Sequence, residues 1–170
     1  MRIMRPRRLD RRGDTIIEVL IVLTVLGLAF AISYATANRG LLQSRNAEEH
    51  SRALSELNRQ VELVREAVAA GVPGLIGSST AFCMASADFS TPASRAASVA
   101  VINDPSELVT QAAGNPNGYP AACVEEDLYF QSVTYDPAHK NFIFTVRWEG
   151  VGNLGRQQEQ IAYRVHEPPN

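Results

Sequence analysis

An α+β fold, with one long N-terminal helix packed on a small C-terminal antiparallel sheet, is what the sequence predicts, and three observations predict it. Residues 19–37 form an uncharged apolar run, a helical stripe of apolar residues continues to Val68, and three β-like segments follow Asp127. A chain of 170 residues, 45% hydrophobic and 20% charged, supports one modest core and an accessory segment rather than two ordinary domains.

The apolar run reads VLIVLTVLGLAFAISYATA and holds no Asp, Glu, Lys, Arg or His. At ~1.5 Å per residue it covers roughly 28 Å, close to the hydrocarbon thickness of a bilayer, so one membrane span is expected. Arg2, Arg5, Arg7, Arg8, Arg11 and Arg12 precede it, and only Arg39 and Arg45 follow closely. The positive-inside rule then puts the N-terminus in the cytoplasm and the rest outside. An ordinary secretory signal peptide is the competing reading. The run exceeds the usual apolar core of about 7–15 residues, however, and Ala35-Thr36-Ala37 is the nearest approximation to a small-x-small cleavage site. Beyond residue 13 the chain has ten basic and seventeen acidic residues, a net charge of −7. An acidic body disfavours direct binding of nucleic acid, which leaves nucleic acid as an indirect partner at most.

After a weak interruption at Asn38-Arg39-Gly40, Leu54, Leu57, Val61, Val64 and Val68 recur at spacings of three and four, one apolar stripe on one helix face. Glu48 with Arg52, Arg52 with Glu56, and Glu62 with Arg65 stand three or four apart and support the exposed face by about 0.2–0.5 kcal/mol each. Gly71-Val72-Pro73-Gly74 stops the helix. The stripe runs too few heptads for a coiled-coil seam, so the chain's own sheet is its expected cover. A helix of about 55 residues measures roughly 80 Å, a length suited to a filament core.

Residues 75–122 are rich in Ala, Ser, Pro and Gly and carry the weakest pattern; a short helix is expected over residues 106–113, opened by Asp104-Pro105 and closed by Gly114. Residues 128–135, 141–148 and 157–165 alternate or carry aromatic and branched side chains, which reads as a three-stranded antiparallel meander within about residues 128–166. The expected divisions are therefore a basic segment 1–13, a membrane helix 14–37, an amphipathic helix 38–70 and a globular head 71–170.

The junction before the span reads Arg11-Arg12-Gly13-Asp14-Thr15-Ile16-Ile17-Glu18. An isolated charge at a helix centre costs roughly 2.5–3.5 kcal/mol on insertion scales, less near the interface, so Glu18 calls for a nearby cation. Cutting after Gly13 would create one, the free α-amine of Asp14, about one helical turn away. A basic leader, Gly, one residue, Thr, two aliphatics, Glu and a long apolar helix resemble the type IV prepilin signature, in detail over about residues 7–45. Gly27 also falls where these helices often carry a glycine.

That resemblance implies a leader peptide of residues 1–13, cut between Gly13 and Asp14 by the aspartic membrane peptidase of the family, prepilin peptidase, which also N-methylates the new amine of Asp14. It implies that Thr15, Ile16 and Ile17 complete the motif and that Glu18 neutralises the amine of a neighbouring subunit during assembly. The implied partners are other pilin subunits, the inner-membrane assembly platform, and membrane lipid before assembly. The implied location is the cytoplasmic membrane, then an extracellular or periplasmic filament of a pilus, a DNA-uptake pilus or a type II secretion pseudopilus. Two departures, Asp14 where the family usually has Phe or Met and Ala35 where major pilins often have Pro, lean toward a minor pilin or pseudopilin. An α+β head is also what the resemblance implies.

Cys83 and Cys123 are the only cysteines, and both fall outside the expected span. An even pair in an oxidising compartment favours a disulfide, with two buried thiols as the alternative. The closed loop would contribute roughly 4 kcal/mol in the chain-entropy account. His50, His139 and His166 are far apart, with no cysteine or carboxylate read at a ligand spacing, so neither a metal centre nor a cofactor is expected; His50 falls on the helix stripe as an interfacial side chain. There is no phosphate loop, dinucleotide fingerprint, nucleophile elbow or HExxH, which points to a structural protein rather than an enzyme. Trp148, Tyr129, Tyr135 and Tyr163 would make a stacking surface if exposed, but aromatics on strands read first as core or cross-strand pairs. A second functional reading stays open: an extracellular binding module anchored by an uncleaved signal-anchor helix.

Overall fold

The computed structural model describes residues 14–77, 79–111, 118–151 and 154–164. Helix α1 spans Asp14–Ala69 without a break. The interruption expected at residues 38–40 does not occur: Gly40 meets nothing that its missing side chain would have touched, and one glycine weakens a helix by only about 1 kcal/mol without ending it. The helix ends at Gly71, which takes φ +70. Its N–H donates to Val68 O at 3.1 Å and that of Val72 to Ala67 O at 2.9 Å, the paired bonds that satisfy the last carbonyls.

The sheet has six strands, not three. To the expected hairpins it adds β1 Ala81–Met84, β2 Val99–Ile102 and β3 Val124–Glu125, ahead of β4 Tyr129–Asp136, β5 Asn141–Glu149 and β6 Arg156–Tyr163. The order is β2-β1-β4-β5-β6, every pairing is antiparallel, and β3 lies against β4. The added strands are four, four and two residues long, too short for alternation to mark them. Helix α2, Pro92–Ala97, precedes β2, with Thr91 and Ser94 forming a reciprocal capping box.

No helix forms over residues 106–111, and residues 112–113 of the expected one lie outside the description. Asp104, expected to open it, accepts instead from the backbone and hydroxyl of Ser106, closing a local turn. Thr110 then bridges Tyr119 in parallel, and Tyr119 N–H donates to Val109 O at 2.8 Å. Gly118 permits this crossing, because a Cβ there would lie 2.5 Å from Val109 O.

The chain divides between Ser44 and Arg45 into two compact units. In the second, residues 45–69 of α1 cover one face of the sheet, where Leu57, Val64, Phe142, Phe144 and Trp148 form the main core. Alternate residues of β1 and β4 point the other way: Ala81, Cys83 and Phe130 pack with Ile102, Tyr119 and Cys123 in a second, smaller core. The buried helix stripe is Ala53, Leu57, Gln60, Val64 and Ala67, turned slightly from the expected one, and Leu54 is left 42% exposed.

Candidate functional site

Residues 16–42 of α1 are apolar around the whole helix and exposed on every side; Ile16, Leu20, Leu23, Leu26, Phe30 and Ile32 are among the large side chains left bare. A helix apolar all round is stable only where something else covers it, a bilayer or other helices. By length and composition this one is able to cross a membrane. Its threonine and serine hydroxyls are already satisfied internally, while Tyr34 is left exposed. Thr24 donates to Ile21 O, Ser33 to Ala29 O and Thr36 to Ile32 O, each at 2.8 Å, so none needs water. Glu18 lies on the exposed surface of this segment, among Ile17, Ile21 and Val22. Gly13 lies outside the described residues. Asp14 opens α1, followed by Thr15, whose side chain, like that of Asp14, is not described, and by the exposed Ile16 and Ile17.

In the second unit the helix is fixed to the sheet by polar groups inside the apolar contact. Gln60, fully buried, accepts from Met84 N at 3.0 Å and donates to Met84 O at 3.2 Å, so its amide takes the place of a neighbouring strand at the end of β1. It also donates to Gln131 Oε1 at 2.7 Å, and Gln131 donates to Glu56 at 3.0 Å. About three turns back from Gln60 toward the N-terminus, buried Glu49 accepts from Trp148 Nε1 at 3.2 Å and from Val151 N at 3.4 Å. His50 meets Trp148 in a T-shaped contact, centroids 5.1 Å apart, and its Nδ1 meets Glu159 of β6 at 2.9 Å. His50 is thus interfacial, as expected, between α1 and the sheet of its own head.

Arg45, Arg52 and Arg59 follow one another at seven-residue intervals, hence on one helix face. Arg52 pairs with Glu48 at 3.1 Å and Glu126 at 2.8 Å, and Arg59 with Glu56 at 2.8 Å and Glu125 at 3.2 Å. The expected pair of Glu48 with Arg52 forms, as does Glu62 with Arg65; that of Arg52 with Glu56 does not, because Glu126 takes the guanidinium. Glu126 and Glu48 together hold the Arg52 pKa above its ordinary value. The turn they grip is costly in itself: Glu126 and Asp127 both adopt positive φ, 52 and 54, as the two central residues of a turn closed by Leu128 N–H donating to Glu125 O, a pair of positions that favours Asn-Gly. Beneath it, Tyr129 is 2% exposed. Burial, then the charge of Glu49, raise its phenol pKa, so the proton stays on at neutral pH.

Cys83 and Cys123 are bonded, with Cα atoms 5.6 Å apart, and tie β1 to the turn before β3. Trp148 and Tyr129 are core residues, which removes them from any exposed stacking surface. The two described histidines have carboxylate partners that sequence spacing missed: His50 with Glu159, and His139 Nδ1 with Asp136 at 2.6 Å. The second was visible as a three-residue spacing; the first joins positions 109 apart. Among the described residues, no three His, Cys, Asp or Glu gather as metal ligands. His166 lies outside the description. Comparison with family models, curated proteins and solved structures finds no match to this chain.

Proposed function

We infer that this chain is a structural subunit, minor-pilin-like, of a type IV pilus-like or type II secretion-like filament. The observation that carries the reading is the bare, all-round apolar surface of residues 16–42 with a single carboxylate, Glu18, four residues after Asp14. In this reading prepilin peptidase cuts after Gly13 and methylates Asp14. The helix rests in the cytoplasmic membrane with its N-terminus inside, and an assembly platform then moves it into a helical bundle with other pilin subunits. The apolar surface exchanges lipid for neighbouring helices, so extraction leaves little of it in water. Glu18 and the amine of a neighbour satisfy each other in a low-dielectric core, and either left alone costs several kcal/mol before relaxation. The helix-on-sheet head supports the same reading, since pilin heads have that layout. No catalytic role is assigned to the chain.

Replacing Glu18 distinguishes this from a plain signal-anchor helix. In a signal-anchor, Glu18→Ala only removes an insertion cost. In a filament subunit, Glu18→Ala is cleaved normally but poorly incorporated, and adding Asp14→Ala deepens the defect, because the Asp14 carboxylate otherwise stands in part for Glu18. The measurement is the ratio of subunit in sheared filaments to subunit in membranes, with leader cleavage followed in the same samples. An unchanged ratio in the double variant contradicts the charge pairing.

A further inference from the structure

The sheet ends on two open strands. Its order is β2-β1-β4-β5-β6, so β2 and β6 each have a partner on one side alone. No described residue hydrogen-bonds to the outer backbone groups of either strand. Long edges are normally blunted by proline, lysine or a bulge. β6 has none of these: Arg156–Tyr163 run in unbroken register along β5, with neither proline nor lysine among them. Its one carboxylate, Glu159, is drawn back to His50 of α1. The hairpin shows which groups are free. Gly150 N–H donates to Gly155 O at 2.9 Å, and hydrogen-bonded pairs alternate along an antiparallel ladder. Gln157, Glu159, Ile161 and Tyr163 therefore bond to β5, while Arg156, Gln158, Gln160 and Ala162 aim their N–H and C=O outward. β2 at the other edge is short and uncharged, and its Val101 is 51% exposed.

The topology decides how these edges fit each other. Five strands lie on the path from edge to edge and every neighbour pairing is antiparallel, so the first and last, β2 and β6, run in the same direction. Copies standing side by side in one orientation bring β2 of one to β6 of the next in parallel, with the two faces of the sheet preserved. Pairing β6 with β6 would join two copies and stop, whereas β2 with β6 leaves an open edge at each end and repeats. The side chains agree with this. Val99 and Val101 pair with Met84 and Phe82, hence lie on the face that α1 covers, and half-buried Ile161 and Tyr163 of β6 share that face. One parallel register sets Val101 beside Ile161 and Asp104 beside Arg164. It matches branched apolar side chains and opposite charges, and neither Asp104 nor Arg164 makes an ion pair among the described residues.

We propose that β2 of one copy adds in parallel to the β6 edge of the next, so that the sheet continues from head to head. The proposal rests on the reading that copies stand side by side in one orientation, and it gives their heads a specific contact beyond the apolar helix. Because β2 has four residues, the contact follows assembly of the helices rather than driving it.

The test uses the full-length chain in native membranes and filaments, with a benzophenone amino acid in place of Val101. Irradiation is expected to give a homodimer whose joined tryptic peptide is residues 157–164. Gln160→Pro removes an outward N–H of β6 and no bond to β5, so it should lower that yield about tenfold, the effect of leaving one backbone group unpaired, while Gln160→Ala leaves it unchanged. Arg164→Glu, beyond the end of the strand, sets like charge against Asp104 and should lower the yield as well, whatever Gln160→Pro does to folding. A joined peptide from another segment or another protein, a loss with Gln160→Ala equal to that with Gln160→Pro, or a yield that neither Gln160→Pro nor Arg164→Glu lowers overturns the proposal. Leader cleavage is read in the same samples: a homodimer with these dependences and an uncut leader upholds the edge pairing while removing the pilin reading, and a cut leader with no homodimer does the reverse.

Discussion

Over residues 45–69, α1 buries Ala53, Leu57, Gln60, Val64 and Ala67 against the sheet and turns Arg52, Arg59 and Arg65 outward to carboxylates; over residues 16–42 the same helix buries nothing. The hydrogen-bonded backbone is common to both, so the difference lies in where stabilisation comes from. The first segment is held by its own chain, through packing and the amides of Gln60 and Gln131. The second turns the hydroxyls of Thr24, Ser33 and Thr36 back onto the helix and leaves its apolar surface for other molecules to cover. One element therefore combines a folding contact with an assembly surface, and damage to either should leave the other standing.

The largest expected effect breaks the comparison on the head side. Trp148→Ala should destabilise the head by about 5 kcal/mol, the upper end for such a truncation, because Glu49 also loses a donor. Leu23→Ala, in the exposed segment, should leave the head's unfolding midpoint in detergent unchanged, as followed by near-ultraviolet circular dichroism. A shift with Leu23→Ala would mean that the segments do not separate.

Gln60→Leu sharpens the comparison, since it is apolar enough for the core yet leaves the N–H and C=O of Met84 without a partner. The expected loss is about 2–3 kcal/mol by urea unfolding. A neutral result would show that the buried face works by apolar packing alone.

Gln60 also explains part of what could be read beforehand. The apolar spacing of Leu57 and Val64 fixed the helix and its covered side, but the centre of that face is a glutamine, which a search for apolar residues passes over, so the expected stripe was turned toward Leu54. Strands β4, β5 and β6 were legible because eight or nine residues suffice for alternation; β1, β2 and β3 were not. Thr91-Pro92 followed by Ser94 was a usable sign of α2 and was missed. Asp104-Pro105 misled because the Asp104 carboxylate satisfies the local turn at Ser106 instead of starting a helix. At the N-terminus, the apolar run and Glu18 were plain in the sequence, whereas the bond from Arg52 to Glu126 joins α1 to a turn 74 positions away, and no local pattern foretells it.

The smallest expected effect concerns pH. The Asp136 carboxyl is held below its usual pKa, first by the side chain of His139 and, further, by the backbone N–H groups of Ala138 and His139. A depressed folded pKa stabilises above the unfolded carboxylate value of about 3.9 and is lost as pH falls through the folded value. Asp88 and Asp104, lowered by Ser90 and Ser106, act in the same direction. All three are at the surface, so acid should shift the head's midpoint only slightly, and Asp136→Asn should flatten part of that acid limb while leaving the neutral midpoint nearly unchanged. An equally steep limb in Asp136→Asn would assign it to other carboxylates.

Intact-mass analysis of the protein extracted from its host membrane tests the assembly role of the first segment most directly. A chain that begins at Asp14, with or without one methyl group, is the predicted result. A chain that keeps residues 1–13 in full, from cells in which filaments assemble, would contradict it and leave residues 16–42 as a membrane anchor alone.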